Sequence, residues 1–240
     1  MEANTAIERR TVQEKPVFRR FMTGLPSIDE VFGGFPNGLS IFYGGSGTGK
    51  SMLAKTIASK HYSLYLCCES LLDFPDGDVI VMDYTKFLPM WDKALNEVLV
   101  AIMKYEPEMV VIDSVTTFFS GTKKAVEEAD VRSGIFDLSK KIEGIIPIIA
   151  TSEIRGSGWN TYEAGGRAVG HAASVLARFD RIRVTNNNSS KYSAKEGDRV
   201  YILDIEKDKQ GIAQQGHEYQ VVYDDKKIPT LKKIQYTLGD

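Results

Sequence analysis

The sequence predicts an α/β protein with a mostly parallel, twisted central sheet flanked by helices and with antiparallel strands at the C-terminal edge. Three observations support this fold class. Short apolar runs alternate with helical segments between residues 41 and 153, a glycine-rich turn joins the first run to the first helical segment, and beyond residue 172 two strands enclose a polar loop. Parallel neighbours need helical crossovers, whereas hairpin partners pair antiparallel.

The predicted elements follow one another along the chain. Apolar runs indicate strands at residues 39–45, 63–68, 78–83, 108–114 and 146–153. Helical segments lie between them at residues 49–61, 89–107 and 130–144, the second with a proline at its start. Strands on both sides of the loop at 185–198, a strand within 217–225 and a short last strand are expected to extend the sheet by antiparallel pairing.

Size, charge and hydropathy limit the class of protein. The 240 residues are expected to form an N-terminal arm over 1–20 and one core domain over 21–240. The 30 basic residues nearly balance the 32 acidic ones, so any nucleic-acid binding requires a local patch. The charged start and the lack of an apolar run of about 18 residues predict a cytoplasmic protein with no membrane partner.

The two cysteines of the chain, Cys67 and Cys68, stand side by side in the second predicted strand. Adjacent side chains on a strand point to opposite faces, so this pair is poorly placed to hold one ion. The three histidines are scattered, and no Cys/His cluster has zinc spacing. We therefore expect both thiols to fill the core on the two sides of a buried strand.

The strongest motif is "GGSGTGKS" at residues 44–51, which fits G-x-x-x-x-G-K-[ST] between a predicted strand and a predicted helix. Glycines let the backbone curl around an anion, and the N–H groups of the loop and of the following helix point at phosphates. The motif predicts binding of ATP and Mg²⁺, with Lys50 supplying positive charge to the phosphates. The candidate nucleotide-binding residues are Gly44, Gly45, Ser46, Gly47, Thr48, Gly49, Lys50, Ser51 and Met52.

A metal partner for this loop is predicted at the end of "MVVID". Asp113 closes this apolar strand, and in a parallel sheet it would lie at the same edge as the loop. Ser51 and Asp113 are the candidate Mg²⁺ ligands, because hydroxyl and carboxylate oxygens suit a hard cation. A buried strand that ends in a turn aspartate is the alternative reading of the same pattern.

The segment "TGLPSIDEVFGGFPNGLSIFYGGSGTGKS" resembles the ATPase core of RecA/RadA recombinases and KaiC-like ATPases. The matching residues ahead of the loop are Thr23, Gly24, Ile28, Asp29, Gly33, Gly34 and Gly38. Further on, "AGGRAVGHAAS" resembles a segment of RadA-type proteins, matched by Gly165, Gly166, His171 and Ala172. The resemblance covers most of residues 21–222. It implies a RecA-like P-loop ATPase, most similar to a single-domain RadA paralogue that assists or regulates homologous recombination and DNA repair.

Glu69 is the candidate residue for orienting the attacking water, with Lys50 as the second catalytic residue. It follows the strand at 63–68, and a carboxylate near the γ-phosphate can orient water or accept its proton. We expect this strand to lie beside the strand that leads into the P-loop. The resemblance to RecA-like proteins also places the catalytic glutamate at this strand end. A solvated acid that caps the next turn is the alternative.

The chain departs from the RadA pattern at two places. Ser152 and Glu153 stand where RadA-type strands end in Asn-Gln, and Glu153 would be repelled by a triphosphate unless a cation such as Arg155 pairs with it. The segment "EKDKQG" resembles the K-x-K/R pair of KaiC-like and hexameric helicase relatives, which makes Lys207 and Lys209 candidate trans-acting cations. A charged hairpin end in solvent explains them equally well.

Three further assignments concern partners. By resemblance, His171 could reach a phosphate across a subunit boundary, although a histidine that anchors its loop fits as well. Single-stranded DNA is a candidate partner, because Gly-rich and basic loops carry aromatic or cationic side chains; the candidate DNA-binding residues are Arg155, Trp159, Arg167, Lys123 and Lys124. Ordinary flexible connections are the alternative. A homo-oligomer, a related subunit or a RadA-type recombinase is the expected protein partner.

Two other functions are compatible with the motifs. The first is a KaiC-like ATP switch or autokinase in signalling, which the P-loop and "EKDKQG" favour. The second is a nucleotide-gated scaffold with negligible hydrolysis, which the replacement at Ser152 and Glu153 favours. All three functions share the nucleotide site, so its geometry is the first question for the structure.

Overall fold

A computed structural model describes residues 20–69, 76–86, 91–120, 125–142, 144–155, 162–163, 167–226 and 228–234. The strands are β1 (Arg20–Phe21), β2 (Phe35–Pro36), β3 (Leu39–Gly44), β4 (Ser63–Cys67), β5 (Val79–Asp83), β6 (Met109–Asp113), β7 (Ile148–Arg155), β8 (Tyr162–Glu163), β9 (Val175–Arg183), β10 (Arg199–Asp208), β11 (Glu218–Tyr223) and β12 (Pro229–Lys233). The helices are α1 (Pro26–Phe32), α2 (Lys50–Ala58), α3 (Trp91–Tyr105), α4 (Val115–Ser120), α5 (Ala125–Ile142), α6 (Arg167–Ala172) and α7 (Ser189–Tyr192). Apart from Arg20, the expected N-terminal arm lies outside the described residues.

The large sheet confirms the predicted fold class. Its strands run in the order β12-β11-β10-β9-β3-β7-β6-β4-β5, with β8 paired to β7. The pairs from β9 through β3, β7, β6 and β4 to β5 are parallel, whereas β9–β10, β10–β11 and β11–β12 are antiparallel. The chain therefore builds a parallel centre by helical crossovers and adds an antiparallel C-terminal edge, while β1 and β2 form a separate small pair.

Two apolar cores lie on the two faces of this sheet. The face covered by α1 and α2 collects residues such as Phe42, Tyr65 and Ile149. The face covered by α3 and α5 collects the alternate residues of the same strands, such as Leu64 and Ala150. Because side chains alternate along a strand, continuous apolar runs supply both cores at once.

The segment ahead of the P-loop is fixed by Asp29. Its carboxylate accepts hydrogen bonds from the backbone N–H and hydroxyl of Thr23, at 2.7 and 2.8 Å, and from the Gly24 N–H at 3.1 Å. The helix that carries Asp29 ends at Gly33, which adopts a left-handed conformation with φ 63°. These hydrogen bonds and the turn at Gly33 therefore stabilise α1, which packs against β3 and β12 of the sheet. Thr23, Gly24, Asp29 and Gly33 are the motif residues involved.

Several boundaries differ from the expected ones. Helix α5 begins at Ala125 instead of residue 130, and the short helices α4, α6 and α7 lie in segments that were expected to be loops. The differing elements are one to two turns long, and local propensity carries little signal at that length. Among the helices in the described part of the chain, none is long and apolar enough to cross a membrane.

Candidate active site

The P-loop joins β3 to α2, and two of its glycines are required by geometry. A Cβ on Gly44 would lie 2.1 Å from the Phe179 carbonyl oxygen of β9, so no larger residue fits between these paired strands. Gly49 has φ 96°, a left-handed conformation that side chains disfavour, and it directly precedes the first helical residue. The chain can therefore turn sharply from the strand into the N-terminus of α2, where N–H groups are free to face an anion.

Lys50 lies at the start of α2 and is folded back over the loop. Its Nζ donates hydrogen bonds to the carbonyl oxygens of Gly44 at 3.0 Å and Gly45 at 2.8 Å. Burial lowers the pKa of Lys50, while the nearby carboxylates of Glu153, Glu69 and Asp113 oppose that shift. The ammonium is thus placed among acceptors at the mouth of the loop, where phosphate oxygens can replace the carbonyls.

Asp113 is buried, with 3 % of its surface exposed, and hydroxyl groups from three elements surround its carboxylate. Oδ1 accepts hydrogen bonds from the Ser51 hydroxyl at 2.8 Å and from the Thr151 hydroxyl. Oδ2 accepts one from the Tyr65 hydroxyl at 2.6 Å. A buried carboxylate needs hydrogen-bond partners, and here they also fix its orientation toward α2.

This donor set fits Mg²⁺. Ser51 and Asp113 present neighbouring oxygen atoms, and Mg²⁺ in nucleotide sites is held by one or two protein oxygens together with phosphates and water. Among the described residues no group of three His, Cys, Asp or Glu side chains could hold a metal, so a protein-only metal cage is not available there. Ser51 and Asp113 are therefore the residues that would hold the ion beside a triphosphate.

Glu69 lies two residues beyond the end of β4 and is exposed. Its Oε1 accepts a hydrogen bond of 2.5 Å from the hydroxyl of Ser114, the residue after Asp113. The expected position of β4 beside β3 is wrong, because β7 and β6 lie between them. Glu69 nevertheless reaches the site, since β4 pairs with β6 in a register that aligns Cys67 with Asp113.

Glu153 brings a third carboxylate to the site. Parallel pairing of β3 with β7 places it opposite Gly44, and its backbone N–H donates to the Thr116 hydroxyl at 2.7 Å. Lys50 lies near Glu153; burial lowers the pKa of Lys50, and the Glu153 carboxylate offsets part of that shift. The side chain of Arg155, the expected partner, lies outside the described residues.

The candidate trans-acting cations have partners within the chain. Lys207 Nζ donates to the carbonyl oxygens of Gly170 at 2.7 Å and His171 at 3.2 Å, and Lys209 Nζ donates to that of Ala172 at 3.1 Å. These carbonyls end α6, where cations complement the helix dipole. Lys207 and Lys209 therefore tie β10 to α6 in this chain, and the side chain of His171 itself is exposed.

The candidate DNA-binding residues fall largely outside the described part of the chain. Trp159, Lys123 and Lys124 are not among the described residues. Arg155 ends β7 and Arg167 begins α6, but only their backbone is described. The DNA interface predicted from these residues is therefore carried by sequence alone.

The cysteine prediction is confirmed. Cys67 packs in the core on the α2 side of the sheet, and Cys68 packs in the core on the α3 and α5 side. Both thiols are buried, and neither forms a disulfide. They fill space on the two faces of the sheet at the end of β4, and Glu69 is the candidate functional residue of this stretch.

Four polar residues of the site were not predicted from the sequence: Tyr65, Ser114, Thr116 and Thr151. Ser114 could have been noticed because it directly follows Asp113. A period of two also gives a signal, since Tyr65 and Thr151 are polar positions on the α2 side of apolar strands. Without the strand order, however, nothing in the sequence says that these hydroxyls meet one carboxylate.

Comparison with known proteins supports the fold and no more. No family model matches the sequence, and no curated protein matches it. The crystal structure of a KaiC-like protein from the hyperthermophilic archaeon Pyrococcus horikoshii OT3 is similar, with a TM-score of 0.70, 18% sequence identity and coverage of 90% of this chain and 99% of that chain. At this identity the likeness shows the fold alone, which is the mostly parallel α/β arrangement described above. It does not distinguish a RadA paralogue from a KaiC-like protein.

Proposed function

We propose that this chain binds Mg-ATP and hydrolyses it at the carboxyl edge of its parallel strands. The observation that carries the proposal is the convergence of Lys50, the Ser51–Asp113 pair and the Ser114–Glu69 pair around one P-loop. Each of these contacts joins residues that are distant in sequence or lie on different elements. A glycine-rich turn that matched the motif by chance would not gather this chemistry.

Each residue has a separate task in the proposed reaction. The loop N–H groups and Lys50 bind the β- and γ-phosphates, while Ser51 and Asp113 hold Mg²⁺, which when bound neutralises phosphate charge. Glu69 orients a water in line with the γ-phosphate and accepts its proton. The Ser114 hydroxyl holds Glu69 in position through a bond of 2.5 Å. Glu153 lies beside Lys50 and balances its charge.

The finer role we propose is that of a nucleotide-driven switch of the KaiC-like kind. The fold similarity to a KaiC-like protein and the charged "EKDKQG" segment support it. A role as a RadA paralogue in recombination and repair is the second candidate, which rests on the sequence resemblance around Gly165 and His171. Assembly with further copies of the chain or with a related subunit would be needed for Lys207 and Lys209 to act in trans.

Binding of nucleotide tests the proposal directly. Calorimetric titration with ATP in the presence of Mg²⁺ should give a saturable signal that Lys50→Ala weakens at least about tenfold, because the ammonium that neutralises phosphate charge is lost. Asp113→Asn should weaken binding in Mg²⁺ while leaving the weaker binding in EDTA unchanged. Lys55→Ala, in the same helix, is the matched control. Identical affinities for the wild-type protein and Lys50→Ala would contradict the proposal.

Assays of DNA binding and of phosphate transfer to the protein distinguish the two finer roles. Incubation with γ-labelled ATP should give a labelled protein if the chain is an autokinase, and a mobility shift of single-stranded DNA at low salt should appear if it is a recombinase paralogue. Neither signal is required for ATP hydrolysis. Failure of both would therefore leave the ATPase proposal standing and remove these two elaborations of it.

A further inference from the structure

A cavity of about 450 Å³ opens beside the P-loop. Its lining combines the loop and the first turn of α2, residues 47–52, with Tyr201 of β10 and Tyr223 of β11. This volume lies within the range of ordinary small-molecule sites, roughly 300–1,000 Å³. A triphosphate on the P-loop N–H groups would leave its sugar and base outside the loop, so the adjoining cavity is where they can lie.

The two tyrosines are positioned by the antiparallel edge of the sheet. Tyr201 pairs in register with Val221, which places Tyr223 two residues along on the same face of the neighbouring strand. The rings meet edge to face, with centroids 6.4 Å apart at 85°. Tyr223 also donates its hydroxyl to the Gly49 carbonyl oxygen at 3.3 Å, which joins this wall to the P-loop.

Apart from the Tyr201 hydroxyl, which can donate to or accept from either purine, the side-chain donors and acceptors that line this cavity already have partners. The Thr48 hydroxyl donates to the Gly45 carbonyl oxygen, Ser51 donates to Asp113, and Lys50 donates to the loop carbonyls. Burial raises the pKa of Tyr223, so its hydroxyl stays protonated and remains the donor to Gly49. The wall therefore offers a base aromatic rings and the thioether of Met52, without a paired donor and acceptor that could read the edge of one particular base.

We propose that this cavity holds the base of a purine nucleoside triphosphate by packing against Tyr201 and Tyr223, and that it does not discriminate adenine from guanine. The proposal rests on the proposed nucleotide binding at the P-loop. Sites that hydrogen-bond a group of the ligand reject analogues that lack it by factors of about 10⁴–10⁵, whereas apolar pockets discriminate far less. The base is therefore held by contact with the aromatic rings alone, and GTP is able to replace ATP.

Competition binding with three ligands tests this assignment. Four proteins are titrated with Mg²⁺ complexes of ATP, GTP and inorganic tripolyphosphate. They are the wild type, Tyr201→Ala, Tyr201→Phe and the control Tyr105→Ala, which lies on the distant helix α3. Wild-type affinities for ATP and GTP should agree within about tenfold. Tyr201→Ala should lose about 5- to 150-fold for both nucleotides, since stacking on one aromatic ring is worth that much.

Tripolyphosphate and the other two variants isolate the contribution of the Tyr201 ring to nucleotide affinity. Tripolyphosphate has no base, so its affinity should be the same for the wild-type protein and Tyr201→Ala. Tyr201→Phe retains the ring and should bind both nucleotides as the wild type does, and Tyr105→Ala should have no effect. Three results would overturn the assignment. Tyr201→Ala could lose affinity for tripolyphosphate as much as for the nucleotides, or it could keep the wild-type affinity for the nucleotides. The wild-type protein could also bind ATP more than about a hundredfold more tightly than GTP. If neither nucleotides nor tripolyphosphate bind the wild-type protein, the proposed nucleotide function itself fails.

Discussion

At the scale of single residues, the carboxylate of Asp113 joins three elements. It accepts hydroxyl hydrogen bonds from Ser51 on α2, Tyr65 on β4 and Thr151 on β7. A carboxylate this deeply buried is tolerated because its oxygens accept hydrogen bonds, and the same bonds aim it at the place where Mg²⁺ would lie. Substitutions of the surrounding hydroxyls should therefore alter metal affinity before they alter the fold.

Tyr65→Phe should raise the Mg²⁺ concentration for half-maximal ATP binding about tenfold, because groups that orient a metal ligand are typically worth 10–100-fold in affinity. The ring stays in the core, so the free energy of unfolding should fall by only about 1 kcal/mol. A Mg²⁺ titration of ATP binding measures the shift, with Tyr62→Phe, directly before β4, as the control. Unchanged Mg²⁺ dependence would show that the Tyr65 hydroxyl does not orient Asp113.

Both thiols should be unreactive in the folded protein. Burial raises the pKa of the Cys68 thiol to about 12, and Cys67 has none of its surface exposed, so little nucleophilic thiolate is accessible at pH 8. A colorimetric thiol reagent should give almost no signal with native protein and two equivalents after unfolding in urea. Rapid reaction of one thiol in the native protein would contradict the placement of the pair on the two faces of β4.

At the scale of elements, Asp208 at the end of β10 joins the C-terminal part of the sheet to Arg20 of β1. Its carboxylate pairs with Arg20 at 2.8 Å, and it accepts the backbone N–H groups of Gln210, Ile212 and Ala213 at 3.0, 3.0 and 2.7 Å. The paired side chains are 4 % and 0 % exposed. Loss of this carboxylate would leave a buried cation and three N–H groups without their acceptor.

Asp208→Ala should lower the free energy of unfolding by about 3–5 kcal/mol, the usual cost of breaking a buried ion pair on one side. Burial alone raises the pKa of Asp208, but its N–H donors and Arg20 bring it below the ordinary value of 3.8. The contribution is therefore complete above about pH 4 and is lost as the pH falls through the lowered pKa. Urea unfolding at pH 7 and at pH 3 measures both effects.

The control for this prediction is Asp225→Ala, which removes an exposed carboxylate. It should change the free energy of unfolding by less than about 0.5 kcal/mol. The difference between Asp208→Ala and the wild type should narrow at pH 3. A loss of less than 1 kcal/mol at pH 7, or a difference that grows on acidification, would mean that the Asp208 carboxylate does not stabilise this edge.

Elements of the fold were predictable where the pattern is long and periodic. The strands at β3, β4, β6 and β7 follow from short, mostly apolar runs, because a parallel sheet covered on both faces needs them. The order of these strands was not predictable, since the sequence does not say which strand a crossover helix reaches. For this reason β4 was expected beside β3, whereas it lies beyond β7 and β6.

At the scale of the whole molecule, the site divides into a contiguous part and an assembled part. Residues 44–52 could be recognised because one local turn and one helix start create the phosphate site. Thr151, Tyr201 and Tyr223 could not, because they reach the site only when the sheet is complete and lie 100 or more positions further along the chain from Lys50. The candidate phosphate site is thus local, while the proposed metal and base contacts depend on tertiary structure.

The central claim is that Glu69, held by Ser114, activates water for ATP hydrolysis. The most direct test is the rate of phosphate release from saturating Mg-ATP, with ATP affinity measured on the same preparations. Glu69→Gln should bind ATP as the wild type does and lose about 10²–10⁴ in rate, and Ser114→Ala should lose a smaller part. Equal turnover by the wild type and Glu69→Gln, or ATP binding without turnover in the wild type, would contradict the account.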